Sequence, residues 1–198
     1  MTRNRPVFLY RGDISRPNYQ GSFSDGLMTQ LYGHGDVRMM RDMKTRAPML
    51  LASYGKTNDF LENDWETAAW CLKEYANYSD GVLPWQSLGP DAALEKGDKA
   101  VNGNALILPQ TRFGKPVASF RVHALRYGAQ MAELLRLLQL KKNWSREHIR
   151  LFVNQRVPLG EEETFNNPDV AKARKFKNLS AQGFIELKEG VLQLLEED

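Results

Sequence analysis

The chain has 198 residues, of which 42% are hydrophobic and 26% are charged, and its formal net charge is +3 at pH 7. This composition is that of a globular protein and excludes a disordered one, and the length allows one domain, or one domain and a small appendage, with a real core. So small a net charge does not by itself indicate binding to nucleic acid or to a membrane surface.

Cysteine and histidine are scarce. Cys71 is the single cysteine, which excludes an intramolecular disulfide, and its place beside Trp70 in an amphipathic segment predicts a packing role. The three histidines, His34, His123 and His148, lie far apart in the sequence. They form no spacing typical of metal ligands, so no metal site is predicted.

The N-terminal segment lacks the apolar core of a secretory signal, and no apolar run approaches the roughly 20 residues of a membrane span. We therefore expect a soluble protein without a membrane partner. We expect it to act in a cytoplasm, either that of its own cell or that of a host cell into which it is delivered. The sequence indicates no particular oligomeric state.

The segment 6–17 begins with an apolar and aromatic run at residues 7–10, which predicts a short buried strand. Arg11 follows that run directly, and Gly12, Asp13 and Pro17 predict the turn that closes it. An arginine at the end of a buried strand needs acceptors for its guanidinium group. Arg11 could pair with Asp13 or reach water, or it could hold a phosphate or carboxylate at the mouth of a cleft.

Loops, helices and strands alternate over the rest of the first 125 residues. We predict a loop at 18–35, a helix at 36–44, a strand at 47–53, a helix at 62–78, a polar connection at 79–104 and strands at 105–109 and 116–124. Asn63 or Asp64 is the expected cap of the helix at 62–78. Alternation in the last strand predicts that Phe120 faces the core and that Arg121 faces solvent or a site.

From residue 126 onward, helical periodicity dominates. It predicts helices at 129–140, from a cap at Ser145 to about residue 155, and at 168–180, followed by a β-hairpin at 183–195. Three helices and a hairpin resemble a winged helix, in which the third helix enters a DNA groove. The predicted fold class is α+β, with two short sheets around a cleft in residues 1–125 and a helix-rich segment at 126–198 that ends in a β-hairpin.

The string Tyr-Arg-Gly-Asp at 10–13, followed by Ser-Arg-Pro at 15–17, resembles the first strand of ADP-ribosyltransferase toxins of the cholera and pertussis type. This sequence has one more residue between the aspartate and the second arginine than the family motif. In that family the first arginine, here Arg11, holds NAD. His34, within Leu-Tyr-Gly-His-Gly, is similar to the family's ribose-contacting histidine, and Ser53 ends a predicted strand as the family's serine does. The resemblance implies NAD as a substrate bound by these three residues.

The toxin family also uses a glutamate, which stabilises the positive charge that develops on the ribose as nicotinamide leaves. The region near 100–115 contains no suitable pair of glutamates, and the candidates are Glu161 and Glu163 in a later acidic run. The resemblance implies that Glu163, with Glu161, performs this role and selects the acceptor. The implied function is the transfer of ADP-ribose from NAD to a protein acceptor, which could belong to a host cell.

Two alternatives stay open. The predicted third helix carries Lys172, Arg174, Lys175 and Lys177, and four cations on one helix could neutralise DNA phosphates. Such a run is also commonly a solvated helix face, and acidic residues flank this one. The second alternative is a phage or pathogen protein that binds a host partner without catalysis, in which Arg11 would be structural.

Overall fold

A computed structural model describes residues 9–13, 28–32, 49–55, 64–84, 87–88, 106–108, 115–164 and 173–197. Its elements are, in chain order, β1 (Leu9–Asp13), β2 (Met28–Tyr32), β3 (Met49–Gly55), α1 (Trp65–Ala76), β4 (Gly81–Pro84), β5 (Ile107–Leu108), β6 (Val117–Ala118), α2 (Phe120–Lys142), α3 (Arg146–Asn154), β7 (Glu161–Thr164), β8 (Ala173–Phe176) and α4 (Ala181–Glu196). This mixture of helices and short strands confirms the coarse α+β prediction. Within these ranges, no helix combines the length and the apolar character needed to cross a bilayer.

The first four strands form one sheet in the order β1-β2-β3-β4, and each neighbouring pair is parallel. Strand β3 confirms the strand predicted at 47–53, and β1 overlaps the strand predicted at 7–10 at residues 9–10. The turn predicted at Gly12 and Asp13 is wrong, because both residues belong to β1. The loop predicted at 18–35 and the connection predicted at 79–104 are wrong for β2 and β4 respectively. Because all four strands run in one direction, their last residues lie at the same side of the sheet. We call this side the carboxyl edge and the opposite side the amino edge.

Helix α1 connects β3 to β4 and lies at the centre of the core. It contacts β4 as well as α2, α3 and β8, so it is covered on several sides. A helix surrounded in this way needs apolar or small residues around most of its circumference. The helix predicted at 62–78 is confirmed, and Asp64 occupies its N-cap position without a side-chain cap hydrogen bond. Its fully buried apolar residues are Ala68, Ala69, Trp70, Leu72 and Ala76.

Helices α1 and α2 run side by side in the same direction. Near their starts, Arg121 of α2 forms an ion pair with Asp64. Near their ends, the Tyr75 hydroxyl donates a hydrogen bond of 2.8 Å to Gln139 Oε1. Between these contacts the backbones approach closely at Gly128, where an added Cβ would lie 2.8 Å from the Cα atom of Ala68.

The two helices predicted at 129–140 and from Ser145 to about 155 are confirmed by α2 and α3. Helix α2 begins earlier than predicted and passes residue 125 without a break. Ser145 caps α3 as predicted, because its hydroxyl accepts a hydrogen bond of 3.1 Å from the His148 backbone N–H.

The strand predicted at 116–124 is wrong beyond residue 118. Strand β6 ends at Ala118, and α2 begins at Phe120. The burial is the reverse of the prediction, since Phe120 is 81% exposed and Arg121 is 2% exposed. A short alternating run fits a helix terminus as well as a strand, and tertiary packing decided between them.

The β-hairpin predicted at 183–195 is also wrong, because these residues belong to α4. Phe184, Leu187 and Val191 are fully buried and recur at helical spacing, and Gly190, which suggested the turn, lies inside the helix. The helix predicted at 168–180 is wrong as well, since β8 occupies residues 173–176 and pairs with β7. The order helix, helix, strand pair, helix therefore differs from that of a winged helix.

Candidate functional site

The carboxyl edge of the four-stranded sheet is the side at which parallel sheets and parallel barrels place their ligand sites. Strands β1 to β4 end there at Asp13, Tyr32, Gly55 and Pro84. The pairing of β1 with β2 is irregular between Arg11 and Asp13. Irregularities of this kind are common beside active sites.

Two of the predicted NAD-binding residues lie in this sheet. Arg11 is paired with Gln30 of β2, and Gln30 with Leu51 of β3, two residues before Ser53. Because neighbouring strands are about 4.8 Å apart, the backbones of β1 and β3 are separated by roughly 10 Å. Ser53 is fully buried. The third predicted residue, His34, lies outside the described residues.

The predicted catalytic glutamates lie in a different sheet. Glu161 and Glu163 belong to β7, which pairs with β8 alone to form an antiparallel ribbon. Glu163 is paired with Arg174, and Glu162 with Lys175. This register is one of backbone pairing within the ribbon. Within the described residues, therefore, the glutamates and Arg11 do not share a sheet.

The four cations of the nucleic-acid alternative do not share one helix. Arg174 and Lys175 belong to β8, Lys177 follows it and is exposed, and Lys172 lies outside the described residues. Successive residues of a strand alternate between two faces. The single cationic helix face on which that alternative depended is therefore not formed by residues 173–177.

At the carboxyl-edge end of the helices, the starts of α1 and α2 are joined by an ion pair in which only the arginine is buried. Arg121 Nε lies 3.5 Å from Asp64 Oδ1, and the two side chains are 2% and 42% exposed. Beside the pair, the rings of Trp65 and Phe184 stack with their centroids 4.7 Å apart, and the Tyr127 ring meets both edge-on. Large side chains therefore fill the space between the helices at this end.

At the amino edge, a cavity of about 680 Å³ lies between α1, α2, α3 and the start of β4. Small residues account for the empty space. Ala129 and Ala132 line the cavity from α2, and Gly81 lines it from β4. An added Cβ on Gly81 would meet no atom within 4 Å.

Arg146, the first residue of α3, forms one wall of the cavity. Its guanidinium carbon lies 3.7 Å from the centroid of the Tyr75 ring, and its Nη1 donates a hydrogen bond to the Tyr75 backbone carbonyl. Burial lowers the pKa of Arg146, while Tyr75 and Asp80 oppose this shift. Burial also raises the pKa of the Tyr75 hydroxyl, against the effect of the Arg146 charge. The guanidinium is thus held by a ring and a carbonyl.

Glu74 and Cys71 line the cavity from α1. Glu74 is buried, and its carboxylate accepts a hydrogen bond of 3.2 Å from Trp70 Nε1. Burial, helped by the Glu74 charge, raises the pKa of the Cys71 thiol to about 12. The thiol is therefore protonated at neutral pH and is not a nucleophile. The predicted packing role of Cys71 agrees with this buried environment.

Reasoning from the sequence missed this cavity. Its residues come from segments 71–82 and 125–136 and from Arg146, which are too far apart to form a motif. The one available signal was the pair Ala129 and Ala132, two small residues three positions apart on a Leu-rich helix. In the part of the chain that the structure describes, no group of three or more His, Cys, Asp or Glu side chains could hold a metal ion.

Neither a protein-family model nor a curated protein matches the chain. Among solved structures, the chain is similar to a family 123 glycoside hydrolase from Clostridium perfringens, described in an analysis of glycolipid glycan hydrolysis. The match has a TM-score of 0.53 and 14% identity, and it covers 85% of this chain and 32% of the other. The chain thus spans about a third of that enzyme's length. At this identity the likeness shows a common fold alone.

Proposed function

We propose that the carboxyl edge of the four-stranded sheet cleaves a glycosidic bond and that its substrate is a glycan. The observation that carries the proposal is the parallel sheet itself, because all four strands end at one edge and Asp13 is the last residue of β1. The similarity to a glycan hydrolase supports the substrate class. Since one fold hosts many functions, the proposal depends on the carboxyl groups at this edge.

Glycoside cleavage uses two carboxyl groups beside the anomeric carbon. One protonates the leaving oxygen, and the other attacks the anomeric carbon or activates a water molecule that does so. Asp13 is the candidate for one of these groups. Asp36 and Asp59 each follow the last residue of their strand, β2 and β3 respectively, by four positions. These two residues lie outside the described residues and are the candidates for the second group.

Transfer of ADP-ribose from NAD to a protein is the second candidate function, and the motif around Arg11 favours it. The chemistry is close, because nicotinamide also leaves from an anomeric carbon through a transition state with oxocarbenium character. Arg11, His34 and Ser53 would bind NAD in a cleft between two short sheets, and Glu161 and Glu163 would supply the carboxylates. We place this candidate second because those glutamates lie in the β7–β8 ribbon rather than in the sheet of Arg11.

Nucleic-acid binding and non-catalytic binding of a host protein stay predictions. Nucleic-acid binding depended on a recognition helix, but residues 173–176 form a strand. Binding of a host protein has no specific observation in its favour. We therefore do not propose either function as a candidate.

The test supplies the purified protein with a panel of aryl glycosides and, separately, with NAD labelled in its nicotinamide ring. We expect release of the aryl alcohol from at least one glycoside. Asp13→Asn should lower that rate by about 100- to 10,000-fold, because an amide neither transfers a proton nor carries a charge. Glu189→Gln changes a carboxylate to an amide on the exposed surface of α4 and is the matched control, with an unchanged rate.

The two candidates give different results in this test. Release of nicotinamide without any glycoside cleavage, abolished by Arg11→Lys, would replace the glycan proposal with ADP-ribosyl transfer. Arg11→Lys keeps the charge and removes the planar fork that binds phosphate. Absence of both products, or an unchanged glycosidase rate in Asp13→Asn, would refute the assignment of the carboxyl edge.

A further inference from the structure

The cavity at the amino edge has the dimensions of a small-molecule site. Its volume of about 680 Å³ falls within the range of roughly 300–1,000 Å³ that such sites span. Most of its lining residues belong to α1, α2, α3 and β4. Regular elements position side chains more accurately than loops do, so most of the lining backbone is held in a defined arrangement.

Charged groups of both signs line the cavity. Glu74, Asp80 and Glu133 supply carboxylates, and Arg136 and Arg146 supply guanidinium groups. A metal cation is bound by oxygen ligands, and a phosphate by cationic donors, so either ligand calls for a set dominated by one sign. A mixed set offers hydrogen-bond acceptors and donors together. It suits a neutral ligand whose groups both donate and accept, as hydroxyl groups do.

Between the charged groups the wall is apolar. Val82, Leu125, Ala129 and Ala132 present aliphatic groups to the cavity, and the Cys71 thiol adds a weakly polar atom. An apolar wall with a few polar groups placed around it is the usual composition of a ligand pocket. The carbon–hydrogen face of a sugar ring is apolar, and its rim carries hydroxyl groups, so its chemistry matches both parts of this lining.

We propose that this cavity binds a neutral polyhydroxylated molecule of about one or two sugar rings. The apolar wall packs against the ring face, and the carboxylates and guanidinium groups form hydrogen bonds with the hydroxyls. The inference does not rest on the function proposed for the carboxyl edge. The 12 residues of α1 extend over about 18 Å, and the cavity lies beside the end of that helix remote from the carboxyl edge.

Trp70 provides a direct reporter, because its indole N–H donates a hydrogen bond to Glu74. The chain has four tryptophans, and Trp70→Phe identifies the Trp70 indole signal in a ¹⁵N–¹H correlation spectrum. Titration with N-acetylglucosamine, glucosamine and glucose 6-phosphate compares a neutral, a cationic and an anionic sugar. We expect the neutral sugar to shift the Trp70 signal with a dissociation constant of about 1 mM, and the charged sugars to bind at least about tenfold more weakly.

Two variants fill the cavity, and a third serves as the control. Gly81→Leu and Ala129→Leu add bulk to residues of the lining. Gly160→Leu is the control for Gly81→Leu, because it replaces another glycine with leucine. Gly160 also has open space around it, but it does not line the cavity. We expect the shift to disappear in the first two variants and to persist in the third, with a dispersed spectrum showing that each is folded.

The proposal is overturned by any of three results. These are absence of a Trp70 shift with the neutral sugar, tighter binding of a charged sugar, or a shift that persists in both filled variants. The comparison of the three sugars is made on the unmodified protein. It therefore decides the question even if a filled variant does not fold.

Discussion

The two ends of the α1–α2 pair differ in how the space between the helices is filled. At the carboxyl-edge end, the Arg121–Asp64 pair and neighbouring aromatic rings occupy it. At the amino-edge end, Ala129 and Ala132 leave a cavity. The close approach at Gly128 lies between the two ends, and the cavity begins beside it, at Cys71 and Leu125. The size of the side chains therefore decides which end of the helix pair is closely packed.

This difference separates a packed region from an open one. The cavity is bordered by exposed residues such as Asp80, so part of its lining faces solvent. At the filled end the side chains contact one another, and these contacts anchor the starts of the two helices. Because local rules of packing are broken most often at functional sites, the open end is the one for which we propose a ligand.

Gly128→Val is expected to disturb both ends at once and to have the largest effect. A Cβ at this position would lie 2.8 Å from the Cα and carbonyl oxygen of Ala68, which are backbone atoms and cannot rotate away. The helices must separate, and we expect the free energy of unfolding to fall by about 3 kcal/mol or more. Urea denaturation followed by circular dichroism measures the change.

Gly190→Ala is the control for this substitution. An added Cβ at Gly190 would have its nearest neighbours at 3.4–3.5 Å, which is ordinary contact. Alanine is more favourable than glycine inside a helix, so we expect a gain of about 0.5–1 kcal/mol. If both substitutions stabilised the protein, the close approach of α1 and α2 at Gly128 would be disproved.

Asp64→Asn and Arg121→Met test the filled end, and we expect unequal effects. Asp64→Asn removes the charge that compensates a buried guanidinium group, and we expect it to cost about 1–3 kcal/mol. Arg121→Met leaves a carboxylate that is 42% exposed and can be hydrated, and methionine keeps much of the packing volume. Its cost should be smaller. If urea denaturation gave equal costs for the two substitutions, the burial of the arginine would not make its partner's charge the more important of the two.

Because the Cys71 thiol is buried and its pKa is raised, we expect the protein to lose stability at alkaline pH. An unfolded thiol ionises near pH 9.0, and burial raises the pKa in the folded protein to about 12. The contribution is complete below pH 9 and declines above it, because the unfolded state then binds fewer protons. We expect the free energy of unfolding to fall by about 1 kcal/mol between pH 9 and pH 10.

In Cys71→Ala, the free energy of unfolding should fall less between pH 9 and pH 10 than in the unmodified protein. The pKa values of the Tyr75 and Tyr127 hydroxyls are raised from 10, so these groups contribute mainly above pH 10. Denaturation curves at the two pH values, for both proteins, give the comparison. An equal pH dependence in Cys71→Ala would mean that the thiol is not buried beside Glu74.

The sequence predicts the helices in which apolar residues recur at helical spacing, because this periodicity determines which face is buried. Helices α1, α2 and α3 were found because apolar residues recur at helical spacing, and Ser145 was found because capping is a local interaction. The run at 116–124 was misread because its alternation fits two structures. Arg121 is buried beside Asp64, which is far away in the sequence, so no local pattern predicts its burial.

The functional regions were less predictable than the helices. The segment around Arg11 predicts a strand, which the sheet contains, but Gly12 and Asp13 extend that strand instead of forming the predicted turn. The pairing of Glu163 with Arg174 could not be foreseen, because it requires β8 where the composition favours a helix. The cavity depends on which helices lie together, and no local pattern encodes that arrangement.

Three serines at helix N-termini test whether a cap hydrogen bond helps to secure the start of α2. Ser145 and Ser180 each accept a hydrogen bond of 3.1 Å from a backbone N–H of their helix, α3 and α4. Ser119, at the start of α2, makes no such bond, and its buried Oγ has no hydrogen-bond partner among the described residues. We expect Ser145→Ala and Ser180→Ala to cost about 1 kcal/mol each.

Ser119→Ala should leave stability unchanged within about 0.5 kcal/mol or raise it slightly, because removing an unsatisfied buried hydroxyl relieves its desolvation cost. Thermal unfolding of the three variants gives the ranking. A cost at Ser119 equal to that at the other two would mean that its hydroxyl has a partner at the carboxyl-edge end. In that case hydrogen bonding, and not packing and the ion pair alone, would secure the start of α2.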